Sequence, residues 1–245
     1  MASANTESTL PTRSERREFA RSWRWIVLFG PAVYGIYRLL EIVGVPLMVV
    51  AFNLQPLYAA YSIVFAYGPA LAFLVAMLYV HRRMLPDIQV LGNITRRDIV
   101  VGLATITLVY LAGNAVELLM RQPREANMAA MFQSLTAIQI VAKVGALLVL
   151  PPIVEELAFR HFLFSFFPFR ANRRIATIAV CVTALLFAYA HSYQYWTSIV
   201  TMILVGVIFA IARVRSNGIV LPIVLHAYAI AFGLTTDQLI ARLAG

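Results

Sequence analysis

Long apolar runs constrain this chain more than any other feature. Seven stretches of mainly apolar residues, separated by short charged or polar turns, lie near residues 25–51, 57–81, 98–120, 136–168, 175–191, 196–213 and 218–240. A helix needs about 20 such residues to cross the hydrocarbon core of a bilayer. The 245 residues are 61% hydrophobic and 13% charged, more apolar than a soluble globular domain. The sequence therefore predicts an all-α, multi-pass transmembrane bundle of about seven or eight spans.

Composition divides the chain into three regions. Residues 1–22 are polar and rich in Ser, Thr and Arg, which predicts a disordered cytoplasmic tail. Residues 23–134 are predicted to form the N-terminal transmembrane helices, and residues 135–245 a second group of transmembrane helices that carries the chemistry. The first apolar run contains prolines and the pair Arg38 and Glu41, so it is expected either as one kinked span with an ion pair or as two shorter segments.

The basic residues indicate how the chain is oriented. The formal net charge is +9, but the arginines lie in small groups between apolar runs, which favours topology signals and anionic-lipid contacts over nucleic-acid binding. The groups on one predicted side are residues 13–24, Arg82, Arg83, Arg96, Arg97, Arg170, Arg173, Arg174, Arg213 and Arg215. Arg121, Arg124 and Arg242 are predicted on the other side. The positive-inside rule then places the amino terminus in the cytoplasm, and the preference for Arg over Lys favours a bacterial inner membrane.

A carboxylate pair lies inside the predicted fourth span. Charged side chains at membrane depth cost about 2.5 to 3.5 kcal/mol each on insertion scales, so each calls for a partner or a task. Glu156 and Arg160 are i,i+4 neighbours on a helix and can form an ion pair. Glu155 points about 100° away and can face a different cavity. One carboxylate can thus be structural and the other chemical; alternatively, both neutralise Arg160 and Arg170 near a lipid interface.

Two histidines follow in later spans, His191 at the end of the fifth and His226 within the seventh. A lone histidine in an apolar run is commonly a packing residue. Helical rise, however, puts Glu155 and His191 at similar depth and His226 somewhat shallower, with Pro151-Pro152 able to bend the fourth span toward it. A carboxylate and two imidazoles in a water-filled cavity suit hydrolysis, with the glutamate as general base and the histidines orienting water or stabilising the oxyanion.

Other ionisable residues are expected to have structural roles. Glu117 and Lys143 are expected either to pair with each other or to lie near the outer interface. His81 and His161 stand beside arginines and are expected at the interface as well.

The motifs resemble those of a known family. Residues 155–160 read Glu-Glu-Leu-Ala-Phe-Arg, and Phe187 is followed four residues later by His191. These match the EExxxR and FxxxH motifs of the CAAX prenyl endopeptidase and bacteriocin-processing (CPBP, or Abi) intramembrane proteases. The third motif of that family, HxxxN or HxxxD, is matched in part: His226 is present, and Ile230 stands where the family has Asn or Asp.

The resemblance implies an intramembrane cavity in which Glu155 activates water, His191 assists and His226 belongs to the oxyanion site, beside Glu156 and Arg160. The departure at Ile230 implies weaker catalysis or a family member that binds its targets without cutting them, since removing one oxyanion donor typically costs about 10²- to 10³-fold in rate. Tyr189, Tyr228 and Asn217 are candidate replacement donors.

Cofactor and substrate follow from the same resemblance. Family members are classed as metalloproteases, although a metal-free glutamate mechanism has been argued, and the metal-free interpretation is favoured here. Zinc is the alternative cofactor, with Glu155, His191 and His226 as its ligands. The expected partners are the bilayer and a membrane-associated protein or peptide, which includes prenylated ends, leader peptides and sorting-signal tails. A transporter would call for a broken-helix repeat or a charge pathway, and the sequence has neither pattern.

Overall fold

The computed structural model describes residues 27–84, 90–170 and 172–244. The predicted tail, residues 1–22, lies outside them. Within these residues, eight helices are formed: α1 Val27–Ala51, α2 Gln55–Met84, α3 Arg96–Leu119, α4 Ala126–Ala130, α5 Ala137–Phe166, α6 Arg173–Ala190, α7 Trp196–Ser216 and α8 Val220–Ala244. All except the short α4 are long and apolar enough to cross a membrane. The predicted all-α, multi-pass bundle is confirmed.

Polar and apolar side chains are distributed in the reverse of the pattern in a soluble protein. Large apolar side chains lie on the outside of the spans, as with Leu108 at 66% exposure and Val141 at 71%. Charged side chains lie inside, where Glu156 and Arg160 are fully buried. This arrangement is stable only where lipid tails replace water around the bundle.

The bundle brings the motif-bearing helices together around α7. Helix α5 contacts α2 and α8 along its first part and α6 and α7 along its last part, and α7 also packs against α3, α6 and α8. A core cluster of buried residues, including Phe159, Phe187 and Phe209, fills the space between them. The three helices that carry the sequence motifs therefore converge in one place.

Helix α5 changes its form at the first motif. It begins with a capping box formed by Thr136 and Gln139. Two prolines at 151 and 152 then stand inside the helix, and since proline lacks an N–H group and crowds the preceding turn, the regular ladder is disturbed there. Residues Glu156–Leu163 continue as a π-helix, a form concentrated at functional sites. Glu155 thus ends the α-helical part, and Glu156 begins the wider turn.

The first apolar run is a single span. A π-helical turn, Leu40–Gly44, interrupts α1 without ending it. Arg38 and Glu41 form the predicted i,i+3 ion pair beside this turn. The alternative of two shorter segments is wrong.

Of the two alternatives for Lys143 and Glu117, mutual pairing is wrong, and a position near the outer interface stays a prediction. The Lys143 ammonium donates to the backbone carbonyls of Ala59 and Met131, each at 2.9 Å, and Glu117 accepts from Ser198 at 3.3 Å. One of these carbonyls lies near the kink in α2 and the other at the end of α4. They accept the hydrogen bonds of the buried Lys143 ammonium in place of the Glu117 carboxylate.

The two histidines expected at the interface are inside the protein instead. His81 and His161 are buried at 0% and 3% exposure, and His81 Nδ1 lies 3.1 Å from His161 Nε2. Each imidazole supplies the hydrogen-bond partner that lets the other be buried.

Two loops are held together at the end of the bundle where α7 meets α8. The Asn93 N–H donates to the Ser216 carbonyl at 2.7 Å, and the Ile219 N–H donates to the Val90 carbonyl at 2.8 Å. Gly218 lies in this contact, where an added Cβ would stand 2.4 Å from the Gly92 backbone nitrogen. A side chain at position 218 would therefore separate the two loops.

We expect Gly218→Ala to destabilise the protein by about 1 to 3 kcal/mol, because backbone atoms cannot yield to the new methyl group. Gly145→Ala is the matched control, since a Cβ there meets nothing within 4 Å and alanine favours a helix over glycine by about 1 kcal/mol. Thermal unfolding in detergent measures both. Equal midpoints for the two variants would contradict the proposed role of the loop contact.

Candidate active site

Glu155 lies at the floor of an internal cavity. Its side chain is 8% exposed. One carboxylate oxygen, Oε1, accepts a hydrogen bond of 2.6 Å from the Tyr67 hydroxyl. The other oxygen, Oε2, has no hydrogen-bond partner among the described residues. A buried carboxylate oxygen without a partner is available to bind a water molecule or a substrate group.

Two imidazoles face that same oxygen. His191 Nε2 lies 3.9 Å from Glu155 Oε2, and His226 Nε2 lies 3.8 Å from it. These distances are too long for direct hydrogen bonds. The structure thus brings together the three groups that the sequence placed on three spans, with a space between them that a bound water can share.

The Nδ1 atom of each histidine has a hydrogen-bond partner that fixes the orientation of its ring. His191 Nδ1 lies 2.8 Å from the Phe187 carbonyl; because a carbonyl only accepts, Nδ1 is the donor, and in the corresponding neutral tautomer Nε2 is an acceptor. His226 Nδ1 lies 2.9 Å from Glu156 Oε1. A carboxylate also accepts, so Nδ1 is the donor to Glu156, and Nε2 is the ring nitrogen that faces Glu155 Oε2.

Glu156 connects His226 to Arg160. Its other oxygen, Oε2, forms an ion pair with Arg160 Nε at 3.3 Å, and both side chains have zero exposure. Arg160 Nη2 also donates to the Gly206 carbonyl at 3.1 Å. The predicted Glu156–Arg160 pair is present, and the histidine at its other end is a contact that spacing along one helix could not reveal.

Aromatic rings enclose this charged group. The Arg160 guanidinium lies 4.3 Å from the centre of the Phe187 ring. The same ring lies 4.5 Å from His191 and 5.7 Å from His226, centre to centre. Phe209 stacks on His226 at 4.7 Å. Phe187 therefore contacts Arg160 and both imidazoles, which gives a packing role to the phenylalanine four residues before His191.

Tyr67 also belongs to the candidate active site, although the sequence did not single it out. It lies on α2, in an apolar run with several other tyrosines, and nothing in its spacing marks it. The structure aims its hydroxyl at Glu155 from 88 positions earlier in the chain. Its hydrogen bond holds Oε1 and leaves Oε2 as the oxygen that faces the histidines.

The cavity has a volume of about 320 Å³ and extends from Glu155 toward one end of the bundle. Its walls are mainly apolar, with methionines from the α3–α5 connection and from α7. Near its outer end are Glu117, Arg124, Glu125, Tyr193 and Asp237. Burial, reinforced by the charge of Glu125, raises the pKa of Tyr193 to about 12, so this phenol stays neutral beside His191, on which it stacks at 5.8 Å.

Ile230 also lines the cavity, so an apolar side chain stands where the resembled family has a polar one. The three candidate replacement donors lie elsewhere. Tyr189 is 82% exposed, the Tyr228 hydroxyl is 2.6 Å from Thr107 Oγ1, and Asn217 Oδ1 accepts from Arg170 at 2.8 Å. None of them is among the residues that line the cavity.

Zinc ligation by Glu155, His191 and His226 stays a prediction. Over residues 27–84, 90–170 and 172–244, no group of three or more His, Cys, Asp or Glu side chains has an arrangement that would hold a metal ion.

Comparisons with known proteins agree with the motifs. A sequence model of the family described as type II CAAX prenyl endopeptidase Rce1-like matches residues 137–232. An uncharacterized 24.3 kDa protein of Escherichia coli is 30% identical over 175 residues, which cover 69% of this chain and 78% of that protein. No solved structure gives a significant match. The segment that matches the family begins with α5 and ends within α8, so it includes every motif residue and excludes Tyr67.

We expect Arg160→Met to destabilise the protein by about 3 to 5 kcal/mol, because it leaves the Glu156 carboxylate buried without its cation. Adding Glu156→Gln to Arg160→Met removes that charge and should restore part of the loss. Exposed Arg174→Met is the control and should stay within about 0.5 kcal/mol of the parent. Thermal unfolding in detergent measures all three. A double variant no more stable than Arg160→Met would argue against a charge effect.

Proposed function

Because the chain belongs to the Rce1-like family of type II CAAX prenyl endopeptidases, we propose that it hydrolyses a peptide bond of a membrane-associated protein or peptide, with Glu155 as general base. The observation that carries the proposal is the position of Glu155 Oε2. It is buried at the cavity floor, it has no hydrogen-bond partner among the described residues, and two imidazole nitrogens lie 3.8 and 3.9 Å away.

In the first step, Glu155 Oε2 takes a proton from a bound water. His191 Nε2, the free acceptor of its ring, holds the second hydrogen of that water and so orients its lone pair. The water oxygen forms a bond to the scissile carbonyl carbon, and the carbonyl oxygen becomes an oxyanion. Glu155 then gives the proton to the amide nitrogen, the C–N bond breaks, and an amine and a carboxylic acid result.

His226 supplies the charge that stabilises the oxyanion. In this mechanism His226 acts as an imidazolium: Nδ1–H donates to the Glu156 carboxylate at 2.9 Å, and Nε2–H donates to the developing negative charge. Arg160 pairs with Glu156 and holds that carboxylate in place. In this division of roles, Glu155, His191 and His226 are catalytic residues, and Glu156 and Arg160 are positioning residues.

The cavity walls are suited to binding an apolar segment of a substrate. Met128, Met131, Leu147, Met202 and Leu234 line it between the floor and the outer end. Methionine side chains are flexible and adapt to ligands of differing shape. Such walls accept an apolar peptide end, prenylated or not, and do not select among leader peptides, sorting-signal tails and CAAX-type ends.

One observation favours a second function. With Ile230 at the cavity wall, the oxyanion site has one donor fewer than the family motif provides. A member with this loss can bind apolar segments without cutting them and act as a membrane binding or regulatory protein. The experiment below separates the two functions.

We expect the purified protein to cleave at least one member of a panel of quenched prenylated and leader-type peptides, and Glu155→Gln to abolish that cleavage. Glutamine matches glutamate in shape and cannot accept the proton, so the loss reports on chemistry. Glu41→Gln changes another membrane-embedded glutamate, one that does not line the cavity; it is the matched control and should stay active. Each assay is repeated with a chelator, which distinguishes a metal-dependent enzyme from a glutamate enzyme.

Full cleavage by a folded Glu155→Gln variant would overturn the proposed mechanism. Peptides that bind but are never cut, even by the parent protein, would support the binding function instead. Binding is followed by the same fluorophores through anisotropy.

We expect Tyr67→Phe to lower kcat about 10- to 100-fold with little change in KM, because a hydrogen bond to a charged group contributes roughly 1.5 to 3 kcal/mol. Without the hydroxyl, Glu155 can rotate away from the water. Tyr61→Phe, an exposed tyrosine on the same helix, is the control. A rise in KM at constant kcat would show that Tyr67 contacts substrate and does not position Glu155.

A further inference from the structure

We infer that the cavity opens to the extracytoplasmic face of the membrane, so that this enzyme takes its substrate segments from exported peptides or from the outer ends of membrane proteins. The inference about the cavity's orientation stands on geometry and charge. Its extension to substrates rests on the proposed function.

The outer end of the cavity is built from one set of helix ends. Its lining residues there come from the end of α3, the α3–α5 connection, the α6–α7 turn and the last part of α8. Contacts across the opening join these ends: Glu125 accepts from the N–H groups of Gln194 and Tyr195, both at 3.1 Å. Arg124 donates to Asp237 on α8 at 3.1 Å. These ends therefore form one face of the bundle, which we call the mouth face.

The other set of helix ends carries most of the arginines. They are Arg82, Arg83, Arg96, Arg97, Arg170, Arg173, Arg174, Arg213 and Arg215, at the end of α2, the start of α3, the α5–α6 turn and the end of α7. Contacts confirm that these ends are neighbours, since Arg215 donates to Asp98 at 2.8 Å and Arg170 donates to Asn217 at 2.8 Å. We call this the arginine face.

The charges on the two faces are unequal. The mouth face carries Arg121 and Arg124 in the α3–α5 connection and Arg242 near the end of α8, and Arg124 is already paired with Asp237. Short loops rich in Lys and Arg stay on the cytoplasmic side during insertion. The arginine face is therefore cytoplasmic, and the mouth face is extracytoplasmic.

Packing closes the route from the arginine face to Glu155. Between them lie Phe159, Phe162 and Phe164, each at 0% or 1% exposure. Arg213 donates to the Arg160 carbonyl at 3.0 Å within the same layer. A substrate on the cytoplasmic side would have to unpack this layer, whereas the cavity already extends from Glu155 to the mouth face.

The test labels single cysteines in intact cells and makes no use of cleavage. Cys181, an exposed cysteine and the chain's sole one, is first changed to alanine. Asn127→Cys on the mouth face and Asn93→Cys on the arginine face form a matched pair, since both are exposed asparagines in connections. The protein is made in a bacterial host, and spheroplasts are treated with a membrane-impermeant maleimide before and after permeabilisation.

We expect Asn127→Cys to be labelled in intact spheroplasts and Asn93→Cys to be labelled after permeabilisation alone. The reverse pattern, or equal labelling of both in intact spheroplasts, would overturn the inference. Reporter proteins fused to the carboxyl end give a second readout, because α8 ends on the mouth face. Alkaline phosphatase fused there should be active, and a fluorescent protein that folds only in the cytoplasm should be dark. The opposite result would equally overturn it.

The substrate arm uses a peptide that the detergent assay shows to be cleaved. Added outside sealed vesicles, it should be cleaved when the mouth face is outward and spared when the vesicles are inverted, with Glu155→Gln inactive in both. Cleavage by inverted vesicles alone would overturn the inference. Absence of cleavage in detergent would count against the proposed function and leave the labelling result as the measure of orientation.

Discussion

The ion pair between Glu156 and Arg160 is the interaction on which the site depends. Both side chains are fully buried at membrane depth, where either charge alone would be unstable. Together they form a fixed dipole whose carboxylate end reaches His226 on α8. The pair thus joins α5 to α8, and through Gly206 it also joins α5 to α7. Orientation of the imidazole, attachment of three helices and neutralisation of the Glu156 carboxylate all follow from one guanidinium.

The form of α5 makes this pair compatible with a second, free carboxylate. On one helix, adjacent residues point in different directions, and here the change from α-helix to π-helix falls between Glu155 and Glu156. The two carboxylates therefore belong to different surroundings: Glu156 lies among Arg160 and aromatic rings, and Glu155 faces the cavity. The preceding prolines, Pro151 and Pro152, weaken the regular hydrogen-bond ladder where this change begins.

The sequence predicted local and periodic features well and contacts across the bundle poorly. The apolar runs gave the seven spans, and i,i+4 spacing gave the Glu156–Arg160 pair. Helical rise put Glu155 and His191 at similar depth and His226 somewhat shallower. Tyr67 was missed because a tyrosine in an apolar run looks like any other, and the His81–His161 contact was missed because each histidine stands beside arginines that suggest an interface. Such contacts depend on how helices pack, which residue spacing along one helix does not contain.

Charge balance supports the proposed hydrolysis inside a membrane. In the proposed mechanism His226 acts as an imidazolium, so two carboxylates face one guanidinium and one imidazolium, and the resting site is neutral. When Glu155 takes the proton of water in that mechanism, it loses its negative charge, and the oxyanion gains one beside the imidazolium. The charge moves a short distance and its sum stays at zero, which matters because a net charge in a low-dielectric interior is costly. A site with one carboxylate fewer would begin the reaction positively charged, and a site without the guanidinium would begin it negatively charged.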